Sequence, residues 1–165
     1  MLDLLSMKKI KYLLLLVCIA GCFAACNKSN TDTTLSVAAQ LTIDTTAIRK
    51  YIVKNNIPAL KDKSGVFYQI ILPGSGTKVW STSTVITGSY SGKLLNASTT
   101  FGSGTIESQY LSSFIQGWQI GVPYIQNGGQ IRLFIPSAYG YGNVVNGSIP
   151  ANSILDFTIS LTDVQ

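Results

Sequence analysis

Phe114-Ile115-Gln116-Gly117-Trp118, followed by Ala138-Tyr139-Gly140-Tyr141-Gly142, then Ile149-Pro150-Ala151-Asn152-Ser153 and a run through Phe157, is the stretch on which the reading turns. Aromatic and aliphatic residues alternate there with Gly and Pro, a composition suited to a rigid apolar pocket. No acid, base or metal-ligating set accompanies them. In residues 154–164, Leu155, Phe157, Ile159 and Leu161 fall on one side and Asp156, Thr158 and Ser160 on the other. That period of two marks a half-buried antiparallel strand whose apolar face belongs to the core.

Working outward, residues 66–72 form a β-pattern that stops at the turn cluster Pro73-Gly74-Ser75-Gly76. Residues 79–80, 84–91 and 130–135 read as further strands. Residues 116–122 allow a turn or two of helix, bounded by Gly117, Gly121 and Pro123. Asp44 is placed to cap a helix over 45–55, where Ile48, Tyr51 and Ile52 have helical spacing and Pro58 prevents continuation. No internal repeat is visible. The predicted fold class is α+β, a curved antiparallel β-sheet wrapped on one short helix, with a short N-terminal helical extension over residues 41–64.

The N-terminus reads as an address. Lys8, Lys9 and Lys11 precede a short apolar run, residues 12–19, about half the length that spans a bilayer. Ile19-Ala20-Gly21-Cys22 closes it and resembles the lipobox of bacterial lipoproteins, with Cys22 as the lipidated residue; Phe23-Ala24-Ala25-Cys26 is a weaker candidate. Residues 1–21 are then a signal peptide, 22–40 a flexible Asn/Ser/Thr/Ala-rich tether, and 65–165 the main domain. All three cysteines lie at or before position 26, so an exported domain relies on its apolar core, for which a 46% hydrophobic composition suffices. Cleavage removes three lysines and Asp3, taking basic residues from 12 to 9, acidic from 7 to 6, and net charge from +5 to +3. The remaining cations are scattered, which argues against a nucleic-acid partner.

Composition also excludes several chemistries. The chain has no histidine, which removes the usual triads, most zinc sites and the commonest general base. Glu107, Asp156 and Asp163 are isolated in sequence, so no paired acid and base or calcium loop is present. The glycines of Ser103-Gly104 and Asn127-Gly128-Gly129 lack the lysine and the strand-loop-helix setting of a phosphate loop.

Residues 65–165 resemble the FKBP family of peptidyl-prolyl cis/trans isomerases. Tyr90-Ser91-Gly92-Lys93-Leu94 stands for the family's Y-x-G-x-L strand, Phe101 for its F-D-S element and Phe114-Ile115-Gln116-Gly117-Trp118 for V-I-x-G-W. Gly121-Val122 and Gly128 then precede residues 131–135, Tyr139-Gly140-Tyr141-Gly142 matches the A-Y-G turn, and Ile149-Pro150 to Phe157 matches I-P-x-x-x-L-x-F, all in family order. The resemblance implies a lipid-anchored bacterial isomerase of the cell envelope, facing the periplasm or held at the outer membrane. It would be monomeric, need no cofactor and act on proline-containing polypeptide clients. Trp118 is implied as the floor of a proline pocket, with Tyr90, Phe101, Ile149 and Phe157 as walls, a hydroxyl from Tyr141 and a backbone N–H from Ile115. Phe114 and Tyr110 are the implied further substrate contacts.

Departures from the family pattern open an alternative. Gly102 stands where the family has a pocket aspartate, and residues 103–113 are shorter than their counterparts, with Gln109 at the nominal place of a family aromatic and Tyr110 beside it. Ser113 replaces an acidic residue. The alternative is a catalytically weak binding or chaperone module using the same cleft.

Overall fold

The computed structural model describes residues 35–165; residues 1–21, read as a signal peptide, and residues 22–34 of the expected tether, with Cys22 and Cys26, lie outside the described residues. Six strands, β1 (Leu60–Lys61), β2 (Phe67–Leu72), β3 (Val85–Leu94), β4 (Thr100–Tyr110), β5 (Gln130–Ile135) and β6 (Leu155–Val164), form one sheet in the order β1-β2-β5-β6-β3-β4. Every pairing is antiparallel. The α-helices are α1 (Val37–Lys54) and α2 (Gln116–Gly121). This is the α+β architecture expected.

Register assigns the two faces. Phe157 lies between Leu133 and Gly92, and Ile159 between Ile131 and Tyr90, so these residues share the inner face. Leu155, Phe157, Ile159 and Leu161 are all buried there, as their alternation predicts. Helix α2 lies almost directly on β5: a Cβ on Gly117 would collide with Ile135 and one on Gly121 with Leu133. Any larger residue would lift the helix, and Trp118 with it. Gly92 has the same logic on β3, since a Cβ there would collide with the rings of Phe101 and Phe157.

The outer face is closed in two ways. At one end Ile48 and Ile52 of α1 pack on Phe67 and Phe134, all four at most 8% exposed. Asp44, Ile48 and Ile52, spaced four apart, form the helix's buried stripe. Next to Phe134, whose ring its guanidinium overlies at 4.7 Å, Arg132 donates to both carboxylate oxygens of Asp156 at 2.8 and 2.7 Å, and Lys93 stands 3.8 Å away. Hydrogen bonding to Asp156 raises the Arg132 pKa, against the effect of burial. Asp156 does share a face with Thr158 and Ser160, but it is 2% exposed rather than solvated.

Three expectations need correction. Helix α1 begins at Val37, inside the stretch read as tether, and its N-cap is Ser36, whose side chain accepts from the Ala39 N–H at 3.2 Å. Asp44 is therefore an interior residue and not a cap. Val79 and Trp80 belong to no strand: Gln126 reaches across with its side-chain amide to the backbone N–H and C=O of Lys78, taking the place a partner strand would fill. Strand β4 was not anticipated, because its Gly, Ser and Thr residues carry little β-signal on their own; pairing along β3 supplies the order.

Candidate active site

Strand β3, the segment entering α2 and the loop after β5 converge on one cavity of about 280 Å³, lined by Tyr90, Ser113, Phe114, Ile115, Trp118 and Tyr141. No charged side chain lines it. Trp118 is its floor, set by the close seating of α2 on β5 and only 2% exposed. Tyr90 meets the indole at 5.5 Å between ring centroids and 72° between planes, and Phe157 at 5.2 Å and 87°. Phe101 continues the chain edge-on to Phe157 at 5.5 Å. These T-shaped contacts match positive ring edges to negative faces and fix the box by packing alone.

The other expected residues divide. Phe114 is on the cavity in an unforeseen pose: its ring is parallel to the indole, 4.7 Å away with planes 13° apart, so one face of the floor is already covered. Ile149 is buried in the same core cluster at 5% exposure, pinned by paired backbone hydrogen bonds with Asn146, and like Phe101 and Phe157 it packs in the core without lining the cavity itself. Tyr110, at the end of β4, is 57% exposed and is not brought to the cavity. Gly102 pairs with Gly92 across the sheet and has open space where a side chain would stand.

Hydrogen-bonding capacity around the cavity is left unspent. Among the described residues the Ile115 N–H and the Tyr141 hydroxyl have no partner, and the buried Nε1–H of Trp118 has none either. Of these only the Trp118 Nε1–H is buried, where a donor without an acceptor is costly, and the Nε1–H of Trp80, away from the cavity, shares that condition. An apolar box ringed by idle donors can desolvate a peptide while holding its carbonyl oxygen. Its lining offers no histidine, carboxylate or amine for proton transfer.

Comparison with known proteins agrees with this geometry. The family model for FKBP-type peptidyl-prolyl cis-trans isomerase matches residues 76–162. The chain is 39% identical over 108 residues to the FKBP-type peptidyl-prolyl cis-trans isomerase FkpA of Buchnera aphidicola subsp. Schizaphis graminum, covering 64% of this chain and 43% of that protein. It is 33% identical over 105 residues to FkpA of Escherichia coli, covering 62% and 38%. The chain thus spans less than half the length of the curated relatives it matches. Among solved structures, FkpA from Escherichia coli superposes with a TM-score of 0.62 at 22% identity, over 99% of this chain and 74% of that one. A peptidyl-prolyl cis-trans isomerase from Pseudomonas syringae pv. tomato gives 0.61 at 26% identity, over 75% and 95%. With more than half of its length matched to the family and the apolar box assembled in the same region, this chain belongs to the FKBP-type peptidyl-prolyl cis-trans isomerases.

Proposed function

We propose that the protein catalyses cis/trans isomerisation of X–Pro bonds in the Trp118 cavity and so assists the folding of exported polypeptides. The observation that carries this is the box itself, aromatic on floor and walls, uncharged, and edged by the free donors of Ile115 and Tyr141. Rotation about an X–Pro amide is opposed by a barrier of about 18–20 kcal/mol, set by resonance between nitrogen and carbonyl. Resonance places negative charge on the oxygen and is favoured by water. A cavity that strips water from the amide while holding it twisted therefore binds the transition state better than the ground state. In this scheme the proline ring rests against the indole, the Ile115 N–H fixes one substrate carbonyl, and the Tyr141 hydroxyl donates to another. Lowering the barrier by about 5 kcal/mol gives several thousand-fold acceleration with no proton transferred.

The resemblance of residues 19–22 to a lipobox supports the further proposal that the protein acts in a bacterial cell envelope, anchored by lipid at Cys22. Proline isomerisation takes tens to hundreds of seconds uncatalysed, slow enough to limit the folding of exported chains.

A second reading has its own support. Gly102 supplies no carboxylate, and Phe114 occupies a face of the floor, so the cleft fits a weakly catalytic module that holds apolar client segments. Refolding of a client limited by a native cis-proline separates the two. The isomerase accelerates the slow phase at substoichiometric amounts and leaves proline-free clients unaffected. Action only at equimolar protein, regardless of proline, would establish the binding module instead.

A further inference from the structure

Helix α1 lies on the outer face of the sheet, away from the cavity, yet it carries a buried carboxylate that the apolar packing does not require. Ile48 and Ile52 already seat the helix on Phe67 and Phe134. One turn before them Asp44, 1% exposed, reaches Ser137, just past the end of β5. Its Oδ2 accepts from the Ser137 N–H at 2.7 Å and from the Ser137 hydroxyl at 2.6 Å, while its Oδ1 accepts from Gln40 Nε2 at 2.8 Å. Among the described residues no cation pairs with it. Burying a carboxylate on neutral donors alone is an expensive way to dock a helix, which directs attention to what Ser137 holds.

Ser137 opens the turn that ends in Tyr141. Its carbonyl accepts from the N–H of Gly140 at 2.9 Å and from that of Gly142 at 2.8 Å, the two residues flanking Tyr141. Two more fasteners grip the same turn: the Tyr139 hydroxyl donates to the Ser64 carbonyl at 3.2 Å, and the Asn152 N–H donates to the Gly142 carbonyl at 2.8 Å. Tyr141 itself makes no side-chain hydrogen bond among the described residues, so its ring is aimed by its backbone and by packing against the core. Pro136, immediately before Ser137, has no N–H with which to extend β5 and so frees the chain to turn.

We infer that Asp44 is a positioning residue: through Ser137 it sets the turn that presents Tyr141 to the cavity, and α1 is in this way part of the active-site scaffold. The inference rests on the proposed isomerase role only for its effect on turnover. Its effect on the turn stands independently.

Two readouts on the full chain test it. In Asp44→Ala the amide resonances of Gly140, Tyr141 and Gly142 shift and broaden, while the Trp118 indole resonance keeps its place; unchanged turn resonances in the folded variant would overturn the inference, whether or not the wild type turns over. In prolyl-peptide exchange, Asp44→Ala lowers kcat/KM about tenfold, and Asp44→Asn, which retains an oxygen for Ser137, restores most of it. In a Tyr141→Phe background the Asp44→Ala change has less than a twofold further effect, because both act through one hydroxyl. A repeated tenfold loss in that background would assign Asp44 a merely structural role. Where Asp44→Ala does not fold, Ser137→Ala removes one of the two donors and gives the same pattern at about threefold; no change in turn resonances or rate would again overturn the inference. A wild type with well-formed turn resonances and no turnover would refute the isomerase reading alone.

Discussion

The two faces of one sheet solve opposite problems. On the outer face each buried charge is matched: Asp156 takes two hydrogen bonds from Arg132, and Asp44 takes three from Ser137 and Gln40. On the inner face the aromatic box is packed as tightly as a core, yet the donors around it are unpartnered. A face built only for stability would be expected to satisfy those groups, as the outer face does. Burial does not draw this contrast, since Trp118 and Asp156 are equally hidden, and a missing partner draws it only together with the cavity, since the buried Trp80 Nε1–H also lacks one elsewhere.

The largest expected effect breaks the outer face. Asp156→Ala leaves the Arg132 guanidinium half-buried and uncompensated, and costs about 3–5 kcal/mol of stability in urea unfolding. The rate per folded molecule changes less than twofold. A large catalytic loss with little destabilisation would mean that the faces are not divided as described.

On the inner face Tyr141→Phe has the opposite signature. It lowers kcat/KM about tenfold, the equivalent of about 1.4 kcal/mol in the transition state. Stability stays within about 0.5 kcal/mol, because the hydroxyl has no partner to lose. Equal loss of both would remove Tyr141 from the site.

Phe114→Val sharpens the account of the floor. Loss of the parallel stack costs about 1 kcal/mol of stability, while uncovering the indole raises affinity for a prolyl peptide several-fold in a fluorescence titration carried out in a Trp80→Phe background, where Trp118 alone emits. Unchanged affinity would show that a proline ring reaches the floor without displacing Phe114.

The smallest effect lies on neither face. Asp62 accepts from the Tyr124 hydroxyl at 2.7 Å. Burial raises the Asp62 pKa, but hydrogen bonds from Ser64 and Tyr124 outweigh it and hold it at about 2, below the ordinary 3.8. A depressed folded-state pKa contributes stability that is present above about pH 4 and lost as pH falls towards 2. Asp62→Asn therefore flattens the decline of the urea midpoint over that window by a small amount, the pair being exposed. An identical decline in both proteins would remove this pair from the acid response.

What could be read from the chain follows the same division. The buried face of β6 was legible from the alternation of Leu155, Phe157, Ile159 and Leu161, and the motifs that carry the family resemblance grouped Tyr90, Trp118 and Tyr141, which line one cavity. The scaffold was less so. The role of Asp44 depends on Ser137, 93 residues away, and in isolation an aspartate before an apolar helical stripe has the pattern of an N-cap. Strand β4 was hidden by Gly102 and Gly104, which are poor strand residues alone and are ordered by pairing with Gly92 and Tyr90 of β3. The pose of Phe114 was also beyond sequence, since flat stacking on Trp118 is one rotamer among several.

The most direct test is NMR exchange spectroscopy on a short Ala-X-Pro-Phe peptide with a substoichiometric amount of the full chain, beside a folded Trp118→Leu variant. The account predicts cis/trans exchange accelerated by the wild type and lost in the variant. Exchange at the uncatalysed rate with the folded wild type across several residues X, or acceleration that survives Trp118→Leu, would contradict it.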